Sequence, residues 1–247
     1  MRLIVCGDSF NVEDSRYPGI HWIDHLRRIR PDIDIVNLSE RGDSNALIAL
    51  QVLQSIKLNA DFIVVSFSGF DRYEVDREVH NHNLLTVNDI HDIKKIKHEW
   101  FQSTNTCSQS TTEDPRFKIY QKWITRCQSG FMNEFRNRLI IACCLYTLRS
   151  CGIGFCYSPG NLDPWLRQLG VDANGNEIFL TLESLQAHDP LSEFDVYKLS
   201  SNVWDYREPH GPANFHIMDA DWQEQHCKNI IDHINSWHAN GQTQHTK

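Results

Sequence analysis

Three short apolar runs, RLIVCG at residues 2–7, IDIVNL at 33–38 and FIVVSF at 62–67, are separated by stretches with helical periodicity, and this alternation constrains the fold more than any other feature. Each run is too short for a helix, and RLIVCG, apolar after its first residue, has the pattern of a strand buried on both faces of a parallel sheet. Between the first two runs, HWIDHLRRI sets Trp22, Ile23, Leu26 and Ile29 on one helical face, and Pro31 ends it. Between the second and third, SNALIALQVLQSI spaces Ile48, Val52 and Ile56 four residues apart and stops at Asn59. Strand and helix alternating through short connections predict right-handed crossovers and a sheet with helices on both faces.

From about residue 76 to 130 the alternation fails. HNHNLLTVNDIHDIKKIKHEWF reads as helix toward its end, STNTCSQSTTEDP is a run of turn-formers, and the whole reads as an insertion, a candidate lid. FMNEFRNRLIIACCLYTLRSC then predicts a long helix closed by Gly152, and IGFCYS at 153–158 another strand. Residues 160–210 read mostly as loop, with FDVYKL a weak strand or short helix. A last helix over 219–238 carries Cys227, Ile230, Ile231, Ile234 and Trp237 as one stripe, and GQTQHTK reads as a frayed end. There is no internal repeat, so residues 1–247 are expected to form one domain.

A net charge of -8 without a basic patch argues against a nucleic-acid partner. The first residues lack the pattern of a signal peptide, and no run of about 18 apolar residues occurs, so the expected setting is cytoplasmic with no membrane partner. The eight cysteines read as free thiols, and with no Cys-x-x-Cys pair among them no structural zinc is expected. His80, His82, His91 and His98 lack ligand spacing and read as surface residues, so no metal or other cofactor is expected. Trp22, Trp222, Trp237, Cys143 and Cys144 read as core, whereas Trp165 either lines a cleft or packs onto the body.

Ligands of open parallel sheets bind beyond the carboxyl ends of the strands. All three early strands end in polar clusters there: Gly7-Asp8-Ser9, ERGDSN at 40–45 and SGFDRYE at 68–74. Singly, each is turn or cap chemistry, and Ser9 reads either as a nucleophile or as a helix cap. Together they make the chain similar to the SGNH hydrolases, the GDSL-type esterase superfamily, over residues 1–75 and 213–247. CGDSF resembles the block that carries the nucleophile, which implies Ser9. NLSERGDSN resembles the block whose glycine, here Gly42, lends an N–H to the oxyanion hole. SGFDRYE falls where the Gly-x-Asn-Asp block lies, with Gly69 in place but Asp71 where asparagine belongs, followed by Arg72. ANFHIMDADW puts His216 at the position of the base, with Ala213 where the family has aspartate. In this the chain resembles the SGNH-like proteins of tailed phages, where the third block is often degenerate and an Arg-aromatic-Glu run follows it.

The resemblance implies a three-layer α/β/α sandwich with a flavodoxin-like parallel sheet. It implies a serine esterase or O-deacetylase acting on a small-molecule or carbohydrate ester through a Ser9 acyl-enzyme, with His216 as base. The Ser9 and Gly42 N–H groups and the Asn45 amide would form the oxyanion hole, and Asp8, Asp71, Arg72 and Glu74 would line the site. With alanine at 213, Asn214, Asp205 or a backbone carbonyl orients His216, or Ser9 and His216 act as a dyad. Two other readings are a binding module that kept the fold and lost activity, as Asp71 and Ala213 suggest, and an acyltransferase whose insertion excludes water.

Overall fold

The computed structural model describes residues 1–13, 18–69, 72–76, 101–105, 130–160, 167–171, 177–180, 191–200 and 220–244. The three apolar runs form β1 (Arg2–Cys6), β2 (Asp34–Asn37) and β3 (Phe62–Ser66). The fourth sheet strand, β6, is Gly154–Ser158. All pair in parallel in the order β2-β1-β3-β6, with Leu3 opposite both Ile35 and Phe62, and Val64 opposite Cys156. This α/β sheet begins with the flavodoxin-like order, in which the chain leaves β1 in one direction to reach β2 and in the other to reach β3. Open sheets of this order take their ligands at that switch point, in the crevice outside the carboxyl ends of the strands, here β1 and β3.

Alternate residues of each strand feed opposite cores, as the two-residue period requires. Leu3, Val5, Phe62, Val64 and Cys156 pack beneath α1 (Trp22–Ile29) and α4 (Ala220–Gln244), whose Trp22, Ile23, Leu26, Cys227, Ile230 and Ile234 are buried. Ile4, Cys6, Ile63, Val65, Phe155 and Tyr157 pack beneath α2 (Asn45–Lys57) and α3 (Gly130–Ser150), where Ile48, Val52, Ile141, Leu145 and Leu148 close the layer. Each fully buried aliphatic side chain contributes about 1.5–3 kcal/mol, so both layers are needed to hold the sheet.

Several expectations need correction. Ile29, expected on the buried face of α1, is 54% exposed at the helix's last residue, before Arg30 caps it. Cys143 is exposed while Cys144 is buried, since adjacent helix residues point about 100° apart. At the edge of the stretch read as insertion, β4 (Arg72–Asp76) pairs antiparallel with β5 (Phe101–Asn105), which lies within it. Helix was expected to run on to Phe101; polar Gln102, Ser103, Thr104 and Asn105 hide a strand from hydrophobic pattern alone. Within the stretch read as loop, β7 (Arg167–Val171) and β8 (Glu177–Leu180) form another antiparallel pair. FDVYKL, read as a weak strand or short helix, takes the second form and lies mostly in a 3-10 helix, Ser192–Tyr197. The last helix runs on to Gln244, through most of the stretch read as frayed. The candidate lid lies mostly outside the described residues.

His21 caps α1 in a way the sequence did not announce. Its Nδ1 accepts the Ile23 N–H at 3.3 Å, so the proton sits on Nε2, which donates to the Phe10 carbonyl at 3.1 Å. Burial pushes the His21 pKa below its ordinary value. The neutral ring is therefore favoured in the folded state, and the unfolded chain binds the extra proton. Stability from this group is complete above about pH 6.5 and is lost as pH falls toward the lowered folded value. His21→Asn, a cap that does not titrate, is expected to flatten the decline in urea-unfolding free energy between pH 7 and pH 5; an unchanged decline would assign it to other groups.

Candidate active site

Ser9 lies in a turn immediately after β1, not on a helix. The Asn11 N–H donates to the Asp8 carbonyl at 3.1 Å, and Asp8 Oδ1 accepts the Phe10 N–H at 3.1 Å. Ser9 is thereby displayed at the turn's second position, half-buried, between the buried Asp8 and Phe10. It caps no helix among the described residues, and α1 begins at Trp22 with its own cap. The turn is anchored beneath by the fully buried Asn11, whose Nδ2 donates to the Cys6 carbonyl at 3.3 Å while Oδ1 accepts Trp22 Nε1–H at 3.2 Å. Asn37, at the end of β2, donates to the Asn11 carbonyl at 2.7 Å.

The second loop reaches the same edge. Gly42 holds a φ of 82°, the left-handed region that glycine enters without strain, and Ser44 then caps α2 by accepting the Ala46 N–H at 3.1 Å. Buried Gln51, from the second turn of α2, joins this loop to the first. Its Oε1 accepts the Gly7 N–H at 2.6 Å, and its Nε2 donates to the Gly7 carbonyl at 3.0 Å and to Asp43 Oδ2 at 2.7 Å. Gly7 must be glycine, since a Cβ there would lie 2.4 Å from Asn11 Nδ2 and 3.0 Å from the Ser66 carbonyl.

The third loop is tied to both. Arg72, the first residue of β4, places Nη1 at 3.0 Å from Asp8 Oδ2 and donates to the Asp43 carbonyl at 3.2 Å. Asn45 joins the second loop to the third. Its Oδ1 accepts the Ser68 N–H at 2.7 Å, and its Nδ2 donates to the Ser68 carbonyl at 3.1 Å and to Asn137 Oδ1 at 2.7 Å. Asn45 was expected to supply an amide to the oxyanion hole; with both of its N–H bonds engaged and no exposed surface, it instead fastens the edge of the site.

The structure therefore brings Asp8, Ser9, Gly42, Asn45 and Arg72 together at the β1/β3 crevice. Glu74 lies in β4 opposite Ser103, with its side chain outside the described residues. Asp71 and His216 also lie outside them, as do Ala213, Asn214, Asp205 and Trp165. Gln51, Asn11 and Asn137 went unnoticed in the sequence. A glutamine on the inner face of an otherwise apolar helix was the available signal, because a buried amide requires partners.

The electrostatics separate serine from the nearby thiol. Burial pushes the Cys6 thiol far above its ordinary range, and Cys144, packed close to it, up to about 12. Such thiols stay protonated and inert. Neither the Ser9 N–H nor the Gly42 N–H has an acceptor among the described residues, although both are flanked by backbone that does. Free N–H groups on adjoining loops can receive an oxyanion. Among the described residues no group of three or more His, Cys, Asp or Glu could hold a metal ion, and no helix is long and apolar enough to cross a membrane.

Gly160, just beyond β6, packs closely against the backbone that follows β3. Its φ is 73°, and a Cβ there would stand 2.5 Å from the Ser68 carbonyl and 2.6 Å from that of Phe67. Gly160→Ala is expected to cost about 3 kcal/mol, the left-handed penalty plus displaced backbone, against about 1 kcal/mol for Gly19→Ala. Gly19 has a φ of 81° with no atom within 4 Å of the added Cβ. Equal effects in chemical denaturation would refute the close approach at Gly160.

No family model and no curated protein matches the sequence. Its chain path aligns with several solved structures. The psychrotrophic esterase EstA from Pseudoalteromonas sp. is 8% identical, with a TM-score of 0.45, over 96% of this chain and 97% of that one. TesA is 13% identical, with a TM-score of 0.46, over 96% and 99%. The acetyl xylan esterase AlAXEase is 8% identical, with a TM-score of 0.36, over 96% and 74%. These identities and superpositions are too low to carry function across, and the resemblance to tailed-phage proteins finds no support in them.

Proposed function

We propose that the protein is a serine esterase or O-deacetylase of the SGNH type, cleaving a small-molecule or carbohydrate ester through a Ser9 acyl-enzyme. The observation that carries this reading is that the Ser9 and Gly42 N–H groups, which have no acceptor among the described residues, sit on adjoining loops held by a buried polar network. The Ser9 hydroxyl attacks the ester carbonyl as His216 takes its proton. The two N–H groups receive the negative charge of the tetrahedral intermediate, each such donor lowering the barrier by about 2.7–4 kcal/mol. His216 then protonates the leaving alcohol, and water repeats the cycle on the acyl-enzyme. Asp71 cannot donate to an oxyanion when ionised, so two backbone donors rather than three groups form the hole.

The test is hydrolysis of p-nitrophenyl acetate and acetate release from acetylated oligosaccharides. The parent is expected to turn over with a rate that rises through the titration of one group near neutrality, and His216→Ala to lose both rate and that limb of the profile. Turnover in His216→Ala with the profile intact would remove His216 from the mechanism. A binding module is the second reading, favoured by Asp71 and Ala213. It predicts carbohydrate binding unchanged by Ser9→Ala and no turnover in the parent.

A further inference from the structure

We propose that Arg72 is a positioning residue that locks the Ser9 turn against the Gly42 turn, so that their N–H groups converge on one point. The inference rests on the esterase reading. A single nitrogen, Nη1, contacts both Asp8 Oδ2, at 3.0 Å, and the Asp43 carbonyl, at 3.2 Å. Asp8 immediately precedes Ser9, and Asp43 immediately follows Gly42. The cation therefore grips the neighbours of both oxyanion donors and touches neither donor itself.

The tie is stiff for two reasons. The Arg72 side chain is 12% exposed and that of Asp8 2%, so the charge pair is only weakly screened by water. Each end is also braced. The other Asp8 oxygen holds the Phe10 N–H beyond Ser9, and the Asp43 carboxylate is held by Gln51, which grips Gly7 in turn. The ring of contacts runs from Arg72 through Asp8, Gly7, Gln51 and Asp43 back to Arg72. Gln51 sets the spacing of the two loops from the helix side; Arg72 sets it from β4. Where the family has the last aspartate of its third block, this chain has a cation that reaches the first two blocks together.

Arg72→Ala and Arg72→Lys test the tie by two readouts. Amide hydrogen exchange is expected to rise in residues 7–11 and 40–45 of Arg72→Ala and stay slow in residues 62–66. Labelling of Ser9 by a fluorophosphonate is expected to slow on the order of 10²-fold, the cost of a reacting group displaced by about 1 Å. In p-nitrophenyl acetate turnover the loss falls on kcat with KM unchanged. Added guanidinium ion restores part of the labelling rate, and sodium chloride at equal ionic strength does not. Arg72→Lys, which keeps the charge and the stem, falls between parent and alanine variant and carries the same readings if the alanine variant does not fold. Unchanged exchange in the two turns, or faster exchange spread evenly through the sheet, overturns the proposal. A parent that never labels overturns the esterase reading instead, while the exchange measurement still decides the tie.

Discussion

Replacing Ser9 by alanine is expected to lower ester hydrolysis by at least about 10²-fold and to leave stability within about 0.5 kcal/mol of the parent. The rate estimate follows from what the chain lacks. In a full triad, losing the serine costs on the order of 10⁶ in kcat and losing the aspartate on the order of 10⁴, so a parent with alanine at 213 already starts low. About 10² then remains for the nucleophile to lose, and more if another group orients His216. The stability estimate follows from the site. Ser9 is half-buried, its side chain bonds to no described residue, and the turn around it is held by Asp8, Phe10 and Asn11 backbone contacts that survive the change. Initial rates on p-nitrophenyl acetate beside a thermal melt give both numbers. A rate within about tenfold of the parent would place the nucleophile elsewhere. A melt lowered with the rate would make Ser9 a structural residue.

Gln51→Leu is expected to be the most destabilising single change at the site, at about 3–5 kcal/mol, or a fall in Tm of roughly 10 °C. The Gly7 carbonyl keeps the Glu40 N–H at 3.2 Å, but the buried Gly7 N–H and one oxygen of the buried Asp43 carboxylate both lose their Gln51 partner. An orphaned buried donor costs about 1–3 kcal/mol and a charged acceptor more, and branched leucine does not follow the shape of the amide. Activity should fall beyond the loss of folded protein, because the Gly7 and Asp43 anchors lie next to the Ser9 and Gly42 turns. Equilibrium urea unfolding of the parent and variant measures the difference. A change below about 1 kcal/mol would mean that this hydrogen-bonded bridge is not what joins the loops.

The parallel sheet and its first two helices were legible in the sequence because their signals are local. VCG, VNL and VSF end apolar runs at the point where the backbone must leave the sheet, and Asn59, at a φ of 57°, stops α2 in the left-handed conformation that asparagine tolerates. The polar strand β5 and the β7–β8 pair were not legible. Their partners are other short strands rather than the main core, so no long apolar run marks them. The site divides in the same way. Ser9, Gly42 and Arg72 could be placed at one edge of the sheet because they follow successive strand ends, but the contacts of Asn45 and Gln51 depended on what stands opposite them in space. Asn45 looked like a donor until Ser68 and Asn137 claimed its amide.

Reaction of the parent with a fluorophosphonate, followed by peptide mass spectrometry, locates an activated serine on the chain. A serine activated at the β1/β3 crevice forms a stable phosphonyl ester at the first strand-end turn, so the account predicts one adduct per chain, on Ser9, absent after denaturation and absent in Ser9→Ala. Folded parent protein that takes up no label at Ser9, or carries it on another residue, would contradict it.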